Sequence, residues 1–420
     1  MKFRDMSTEE RLRMLLSEGH LDEQDTGLLA QSPGLPTDVA SNMIENQIGT
    51  FPVPLGLAQH FIIDGKPTIV PLAVEEPSVI AAASNAAKRC YETGGFTTSV
   101  KRCGLTGQVV FNGTLDQPEQ FLKEHREAVE VVAQTAHPSL VAHGGGLRNI
   151  EVLTYRECNF IEFRLTIDPA EAMGANVVNT ICEAVGHYLC EQAPSLKLLM
   201  AILSNNAPLQ SAHARAVFPF TQLSTAQMDG AQVAERMILA STFAEISQQR
   251  AATQNKGIMN GVDALILATG NDTRNIAAAA YSVLNPEHRT WTNWTVSENC
   301  LIGDIDIPMP LGAIGGAIST LPMAQLVMKL LGNPSASQLM GIAASVGLAS
   351  NMAALFAIVT DGIQKGHMNL QLRSLAIMAG ATGEQQIEQV ANLLRQNVKH
   401  ASLDIAKKAV SQIKRGSLDV

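Results

Sequence analysis

The sequence contains one long apolar stretch, MGIAASVGLASNMAALFAIVTDG from Met340 to Gly362, which limits what the chain can fold into. A membrane-spanning helix needs about 20 apolar residues, so the stretch is long enough to cross a bilayer. It is rich in Ala and Gly, however, and it is interrupted by Ser345, Ser350 and Asn351. We therefore predict a buried core helix rather than a membrane span. Such a helix needs a large hydrophobic core around it.

The composition is consistent with large cores. Of the 420 residues, 46% are hydrophobic, whereas 16% are charged and 4% are aromatic. This length predicts two or three domains. The 30 basic and 39 acidic residues give a formal charge of -9, so binding to nucleic acid or to an anionic membrane is not expected.

Neither the N-terminus nor the cysteines indicate secretion or a metal site. The segment MKFRDMSTEERLRMLLSEGHLDEQD reads as a charged helix, because acidic residues appear before any apolar run that a signal peptide would need. The six cysteines form no C-x-x-C pair and no pattern with the ten histidines. Reduced thiols in a cytoplasmic protein, with no zinc site and no disulfide framework, are predicted.

The pattern of elements predicts an α+β fold with three parts. FIIDGKPTIVPLAV is typical of a hairpin that turns at Asp64-Gly65, and a helix follows with Glu76 at its cap and Pro77 at its first position. Residues 105–204 have a β-α-β-β-α pattern that SLKLLMAILSN closes, which indicates a small inserted domain of ferredoxin-like type. We predict a large mixed domain of helices and sheet at 1–104 and 205–366. A C-terminal helical flap at 367–420, hinged at MAGATGE, completes the chain.

The sequence lacks the motifs of the commonest nucleotide-binding folds. No G-x-x-x-x-G-K-[ST] is present, and HGGGLR and GAIGGAIS have the wrong spacing for a Rossmann turn. The segment DPAEAMGANVVNT offers an alternative, because Pro169 is expected to open a helix with Gly174, Asn176 and Asn179 in its first turns. Free N–H groups and a missing side chain there suit a pyrophosphate. A close helix–helix contact through Gly174 is the competing interpretation.

Four ionisable residues stand next to apolar segments. Taken singly, Glu76 suits a helix cap, Lys256 and Asp272 suit solvated loops, and His367 suits a structural role. Together they supply two carboxylates, a cation and an imidazole, which are the groups needed to move protons around a carbonyl under reduction. We predict a buried strand from Asp263 to Gly270 that brings Asp272 against Lys256.

A series of motifs, in order along nearly the whole chain, resembles a known family. They are ENQIG, EEPSVIAAAS, GGGLR, EAMGANVVNT, RAATQNKGIMNG, LATGND, GLASNMAAL and GHM. The family is 3-hydroxy-3-methylglutaryl-CoA reductase of the soluble, bacterial-type class. The resemblance implies reduction of a CoA thioester to a primary alcohol by two hydrides from NADPH or NADH, without a metal. It also implies homodimers, or assemblies of dimers, with sites at the subunit boundary.

The resemblance assigns roles to the residues within these motifs. Lys256 would stabilise the oxyanion, with Asp272 keeping it charged. Glu76 would protonate the aldehyde oxygen, and His367 would protonate the leaving CoA thiolate. The implied substrate contacts are Ser78, Arg250, Asn205 and Asn260, and the implied cofactor contacts are His137, Met173, Gly174, Asn176 and Asn179.

Three positions depart from the family pattern. Glu171 replaces the usual aspartate of DAMGAN, and Thr273 follows Asp272 where bacterial members often have Trp. His137 stands where NADH-using members have an aspartate that binds the ribose 2′-hydroxyl. No carboxylate repels a 2′-phosphate there, so NADPH and mevalonate synthesis are favoured over NAD-linked mevalonate degradation. A non-redox acyl-CoA lyase or transferase, and a non-enzymatic helical assembly, remain as alternatives.

Overall fold

The computed structural model describes residues 6–31, 35–360, 362, 372–396 and 401–414. It is a mixed α+β structure with two sheets, which confirms the predicted class. The strands are β1 Leu55–Ile63, β2 Lys66–Ala73, β3 Phe96–Arg102, β4 Leu105–Asn112, β5 Gly146–Tyr155, β6 Phe160–Asp168, β7 Lys197–Leu203, β8 Gln210–Pro219, β9 Thr292–Ser297 and β10 Cys300–Pro308. The helices that precede β7 in the chain are α1 Thr8–Ser17, α2 Glu23–Gln31, α3 Thr37–Met43, α4 Val79–Arg89, α5 Pro118–Ala136, α6 Pro138–Ala142 and α7 Ala175–Gln192. Those that follow are α8 Phe220–Leu223, α9 Gly230–Ile246, α10 Gln248–Ala268, α11 Thr273–Ser282, α12 Gly316–Thr320, α13 Pro322–Leu330, α14 Ala336–Val359, α15 at 372–378, α16 Glu384–Gln396 and α17 Leu403–Lys414.

The larger sheet has the strand order β2-β1-β3-β8-β10-β9. The predicted hairpin is confirmed, since β1 and β2 pair antiparallel around Asp64 and Gly65, which have φ values of 49° and 76°. Positive φ at both central residues is the mark of the tight hairpin turn that matches strand twist. Helices α4, α10 and α14 pack beside this sheet.

Helix α14 is the buried core helix that the apolar stretch predicts. It is the one helix in the described part of the chain that is long and apolar enough to cross a membrane, and 72% of its most apolar window is buried inside the protein. Its small residues serve close packing. A Cβ added to Gly261 of α10 would lie 2.2 Å from the Oγ of Ser350 on α14, so only glycine allows these helices to approach so closely.

The smaller sheet forms a second hydrophobic core. Its strand order is β5-β6-β4-β7 with antiparallel neighbours throughout, and α5 and α7 pack against it. The order β-α-β-β-α-β predicted for this region is therefore present. The core includes Val109, Phe163 and Val185, all fully buried.

Three local predictions were wrong. The segment from Asp263 to Gly270 is not a strand, because it forms the end of the helix α10. Helix α4 begins at Val79 after Ser78, so Glu76 does not cap it. Helix α7 begins at Ala175, and the residues after Pro169 form a loop that ends at Gly174 with φ 102°.

The C-terminal helices form a cluster of their own. Leu372 and Ala376 of α15 pack with Val390 of α16 and Ala406 of α17. Residues on both sides of MAGATGE thus belong to one packed cluster. This packing does not favour a hinge at that motif, and the hinge stays a prediction.

Candidate active site

An ion pair joins two of the predicted catalytic residues. The Nζ of Lys256 lies 2.8 Å from the Oε2 of Glu76. Lys256 is in the third turn of α10, and Glu76 lies in the bend between β2 and α4. The side chains are 62% and 37% exposed, respectively, so both can reach a bound ligand. An ammonium and a carboxyl group at this separation can together serve one carbonyl oxygen.

The bend that carries Glu76 has an unusual backbone. Ser78 has φ 78° and ψ -17°, in the left-handed region that non-glycine residues rarely adopt. Its Oγ is buried and makes no hydrogen bond to any described residue. Strained residues and unpaired buried hydroxyls cluster at functional sites. The geometry of Ser78 therefore fits the substrate contact that the sequence predicts for it.

The other two predicted substrate residues of α10 lie near Lys256 in sequence. Asn260 is one turn further along the helix and hence on the same face as Lys256. Arg250 lies in the first turn, where its backbone N–H donates to Ser247 Oγ, and burial lowers the pKa of its guanidinium. A partly buried guanidinium is suited to a substrate carboxylate.

Asp272 lies at the junction of α10 and α11. Gly270, with φ 72°, ends α10, and the N–H groups of Gly270 and Asn271 donate to Leu267 O and Ile266 O. This is the pattern of a glycine-terminated helix. Asp272 then caps α11 by accepting from the N–H groups of Arg274 and Asn275. The Arg274 guanidinium, which donates at 3.0 Å, holds the pKa of the Asp272 carboxyl below its usual value.

Asp272 does not meet Lys256 within one chain. Ala268 lies twelve residues after Lys256, which corresponds to a rise of about 18 Å along α10. This distance is more than a lysine side chain can span. Among the ion pairs of the described residues, Lys256 pairs with Glu76 and Asp272 with Arg274. The predicted contact fails because the intervening segment is a long helix instead of a strand.

A second group of predicted residues surrounds a cavity at this junction. The cavity has a volume of about 210 Å³, and its lining residues are Met173, Ala175, Asn179, Ile202, Leu203, Asn205, Asp272 and Asn275. The Nδ2 of Asn205 donates to Asn275 Oδ1 at 3.2 Å, and the Leu203 N–H donates to Asn179 Oδ1 at 2.8 Å. Neither Lys256 nor Glu76 is among these lining residues of the described chain. The predicted site residues are thus divided into two clusters.

The start of α7 opens towards this cavity. Gly174 precedes the helix and provides no side-chain cap, so the first N–H groups of α7 have no capping partner from that residue. A Cβ at Gly174 would lie 2.5 Å from Pro169 Cβ, so the loop depends on glycine. Asn176 is exposed in the first turn. Uncapped N–H groups at the start of an 18-residue helix beside a cavity suit an anionic cofactor group.

His137 lies at the boundary of α5 and α6. Its Nδ1 accepts from the Leu140 N–H at 3.3 Å, so the imidazole caps α6. This local structural contact does not test its predicted position near the ribose. His367, the fourth predicted catalytic residue, lies outside the described residues. In the part of the chain that the structure describes, no group of three or more His, Cys, Asp or Glu side chains could hold a metal ion.

Comparison with known proteins gives the family. The profile described as hydroxymethylglutaryl-coenzyme A reductase matches residues 7–372. The 3-hydroxy-3-methylglutaryl-coenzyme A reductase of Archaeoglobus fulgidus is 42% identical over 419 residues, which cover 98% of this chain and 94% of that protein. The chain belongs to the hydroxymethylglutaryl-coenzyme A reductase family.

Solved structures of the family have the same fold. The Streptococcus pneumoniae reductase superposes with a TM-score of 0.81 at 37% identity, covering 98% of this chain and 99% of that one. A class II reductase from the same organism, bound to NADPH in open conformations, matches 85% of this chain with a TM-score of 0.80. Membership of the reductase family excludes the lyase, transferase and non-enzymatic alternatives as the main interpretation.

Sequence reasoning missed several residues of this reductase site. Asn275 lines the cavity and bonds Asn205, and the signal for it was its position three residues after an N-cap aspartate. Glu171, which was treated as a tolerated replacement, accepts a 2.7 Å hydrogen bond from the Ala336 N–H at the start of α14. Arg102 was not considered, although its guanidinium contacts the loop before α7. The contacts of Glu171 and Arg102 join segments far apart in sequence, so no local pattern indicates them.

Proposed function

We propose that this reductase converts 3-hydroxy-3-methylglutaryl-CoA into mevalonate and CoA at a site shared by two subunits. The observation that carries the proposal is the division of the predicted residues into two clusters, one beside Lys256 in the third turn of α10 and the other at the C-terminal end of that helix. Glu76, Ser78 and Lys256 form one cluster, and Asp272 and the cavity residues form the other. A symmetric pair of chains can bring the first cluster of one subunit against the second cluster of its partner.

The reaction needs two hydrides and two protons for each thioester, and NADPH supplies the hydrides when bound. Lys256 as an ammonium stabilises the oxyanion that develops on the thioester oxygen after the first hydride arrives. Collapse of the resulting hemithioacetal breaks the C–S bond, and His367 protonates the released CoA thiolate. Glu76 gives a proton to the aldehyde oxygen as the second hydride adds to the aldehyde carbon. Asp272 of the partner subunit completes the ionic group around Lys256.

Several exposed apolar side chains support association. Ile48 is fully exposed and Phe51 is 93% exposed in the extended segment before β1. Leu239, Phe243 and Ile246 lie on one side of α9 and are at least 54% exposed. Large exposed apolar side chains in groups are typical of protein–protein interfaces. We infer that these surfaces are covered in a homodimer, or in an assembly of dimers.

The cofactor assignment rests on the second cluster. The free N–H groups of α7, the glycine at position 174 and the adjoining cavity fit the pyrophosphate and nicotinamide portions of a dinucleotide. Met173 and Asn179 line that cavity. NADPH is favoured because the segment AHPS carries no carboxylate, and a class II relative binds NADPH. Residues 105–204 then form the cofactor domain, residues 1–104 and 205–366 the substrate domain, and residues 367–420 the flap.

We further infer that the protein works in the cytoplasm and in the direction of mevalonate synthesis. The one membrane-length helix of the described chain is mostly buried, which supports a soluble enzyme. NADPH is the usual reductant of biosynthesis, which favours synthesis over the alternative, NAD-linked mevalonate oxidation. Assays of both directions with both cofactors, followed by nicotinamide absorbance, discriminate between these two.

A complementation experiment tests the shared site. Lys256→Ala and Asp272→Asn subunits, each inactive alone, are co-expressed with different affinity tags, and the mixed dimer is isolated. If the two residues act across the interface, one of the two sites in the mixed dimer is intact and about half of the wild-type activity per dimer returns. If they act within one chain, the mixed dimer contains no intact site and stays inactive, which contradicts the proposal.

The control keeps both changes in one subunit. A dimer of one doubly substituted chain and one wild-type chain has no intact shared site, because each site lacks either Lys256 or Asp272. It is therefore expected to be inactive under the proposal and half active under the within-chain alternative. The two mixed dimers thus give opposite results under the two hypotheses.

A further inference from the structure

The first residues of the Gly-rich motif GAIGGAIS, Gly312 to Ile314, belong to a segment that contacts both the α10–α11 junction and the loop before α7. We define the strap as Met309–Ile314. It follows β10 and runs between the α10–α11 junction and the loop before α7. Hydrogen bonds to its backbone come from both sides.

On one side the strap is bound to the junction that carries Asp272. Asn271 makes two bonds to Gly312, since its Nδ2 donates to Gly312 O at 3.1 Å and its Oδ1 accepts from Gly312 N–H at 3.0 Å. Asn275, which also lines the cavity, donates from Nδ2 to Pro310 O at 3.4 Å. The residues directly before and shortly after Asp272 are therefore both anchored to the strap.

On the other side the strap is bound to the cofactor loop, residues 169–174. The Ala313 N–H donates to Glu171 O at 2.8 Å, and Ala172 forms an isolated parallel bridge with Ile314. A Cβ added to Gly312 would lie 2.3 Å from the Met173 backbone nitrogen. The close approach at Gly312 leaves no room for a side chain, so its identity fixes the spacing between the strap and the loop.

Arg102 ties the same two segments together from the end of β3. Its Nη1 donates to Leu311 O of the strap at 2.9 Å. Its Nε donates to Ala170 O at 3.0 Å and its Nη2 to Ala172 O at 2.9 Å in the cofactor loop. One planar cation thus satisfies carbonyl groups of both segments.

We propose that the strap is a positioning element that fixes Asp272 relative to the start of α7, with Asn271 and Gly312 as its positioning residues. The proposal rests on the proposed function, since it assigns Asp272 and the start of α7 to one active site. The physical reason is rigidity. The strap is joined both to the residues around Asp272 and to the cofactor loop by direct side-chain and backbone contacts. A shift of Asp272 is therefore expected to move the cofactor loop, and the reverse. A misplacement of about 1 Å in such a site costs about 100-fold in rate.

Two variants with different expected signatures test the strap. Asn271→Ala removes both bonds to Gly312 on the aspartate side, so kcat is expected to fall about 100-fold while the Kd for NADPH, measured by nicotinamide fluorescence, stays within about 3-fold. Gly312→Ala displaces Met173 on the cofactor side, so kcat is expected to fall and the Kd for NADPH to rise about 10-fold or more. The double variant is expected to be less impaired than the product of the single effects, because both act through one element.

Matched controls separate positioning from general stability. Asn285→Ala also removes two side-chain-to-backbone bonds, to the N–H groups of Glu287 and His288. Gly27→Ala adds a Cβ where no atom lies within 4 Å. Both are expected to keep wild-type kcat and Kd. If Asn271→Ala misfolds, Asn271→Asp keeps the shape and the acceptor but loses the donor to Gly312 O.

The outcomes are distinct. Unchanged kcat and Kd in folded Asn271 and Gly312 variants, or strictly multiplicative effects in the double variant, would overturn the proposal. A wild-type protein that does not turn over the thioester refutes the proposed function instead. The NADPH titration of Gly312→Ala against Gly27→Ala still tests the strap in that case, because it needs no turnover.

Discussion

The Nζ of Lys256 lies 2.8 Å from the Oε2 of Glu76, although the two residues are 180 positions apart in the chain. Both side chains are substantially exposed, and exposed ion pairs contribute only about 0–1 kcal/mol to stability. The fold therefore brings together two residues far apart in sequence whose ion pair adds little to stability. We expect its role to lie in the chemistry of a bound carbonyl group.

Lys256→Ala is expected to leave the fold intact and to slow turnover at least about 100-fold, the scale of losing one oxyanion donor. Steady-state kinetics measures the loss, and isothermal titration shows whether the thioester still binds. Lys329→Ala is the matched control, because Lys329 is also an exposed lysine paired with a carboxylate, at 2.7 Å from Asp22. A Lys256→Ala enzyme with near-normal kcat would remove the ammonium from the mechanism.

The sequence predicted the class of fold and the small sheet because both follow from local patterns. The alternation of strands and helices in residues 105–204, and the turn residues Asp64 and Gly65, specify their structures within short segments. The buried helix α14 was also predictable, since a long Ala-rich stretch with buried polar interruptions suits a core better than a membrane.

The α10 segment was misread because its apolar end looks like a strand. The segment DALILATG is short and apolar, and periodicity alone cannot separate a buried strand from a buried helix. The stop signal at Gly270 and the cap at Asp272 were the better guides, because together they mark one helix ending and another beginning. With a helix in place, Asp272 is carried away from Lys256.

The long-range contacts of the site were not predictable from one sequence. Asn271 bonds a backbone 41 positions away, and Arg102 bonds one 209 positions away. Such pairs follow from how the helices and sheets pack, and no local propensity encodes them. The motifs indicated which residues matter, whereas the structure determined which of them meet.

His137→Asp is expected to shift the preference towards NADH, because a carboxylate near the ribose repels a 2′-phosphate. The His137 side chain also caps α6, and Asp and Asn are both good caps. His137→Asn is therefore the control, since it keeps a cap without the charge. The measurement is the ratio of kcat/KM for NADPH and NADH. Equal ratios in the Asp and Asn variants would mean that another residue contacts the 2′ end.

Asp263→Asn is expected to stabilise the protein at pH 8 and to change little at pH 4. Burial raises the pKa of the Asp263 carboxyl from 3.8 to about 6, and its Oδ1 has no hydrogen-bond partner among the described residues. Because the folded pKa is the higher one, ionisation between about pH 4 and pH 6 costs stability, and the full cost is present above pH 6.

Thermal unfolding across this pH range checks the sign. The free energy of unfolding of Asp263→Asn at pH 8 is expected to exceed that of the wild type by about 1–3 kcal/mol for a pKa shift of this size. The exposed residue Asp116 provides the control, since Asp116→Asn is expected to leave the difference between pH 4 and pH 8 unchanged. A stabilisation at pH 4 equal to that at pH 8 would show that ionisation of Asp263 is not the cause.

Ending the chain after Thr360 is expected to abolish turnover and to preserve NADPH binding. The cut removes His367 together with the C-terminal cluster. Among the described residues, the hydrophobic members of that cluster come from 372–413, so the cut does not divide them. A cut at MAGATGE would instead leave Leu372 and Ala376 without their partners and would confuse misfolding with loss of catalysis. Full-length His367→Gln is the control, because it removes the imidazole alone. Equal losses of kcat in the two variants would assign proton transfer as the role of the segment. A larger loss of kcat on truncation would add closure over the substrate as a second role. Full activity after truncation would contradict both roles.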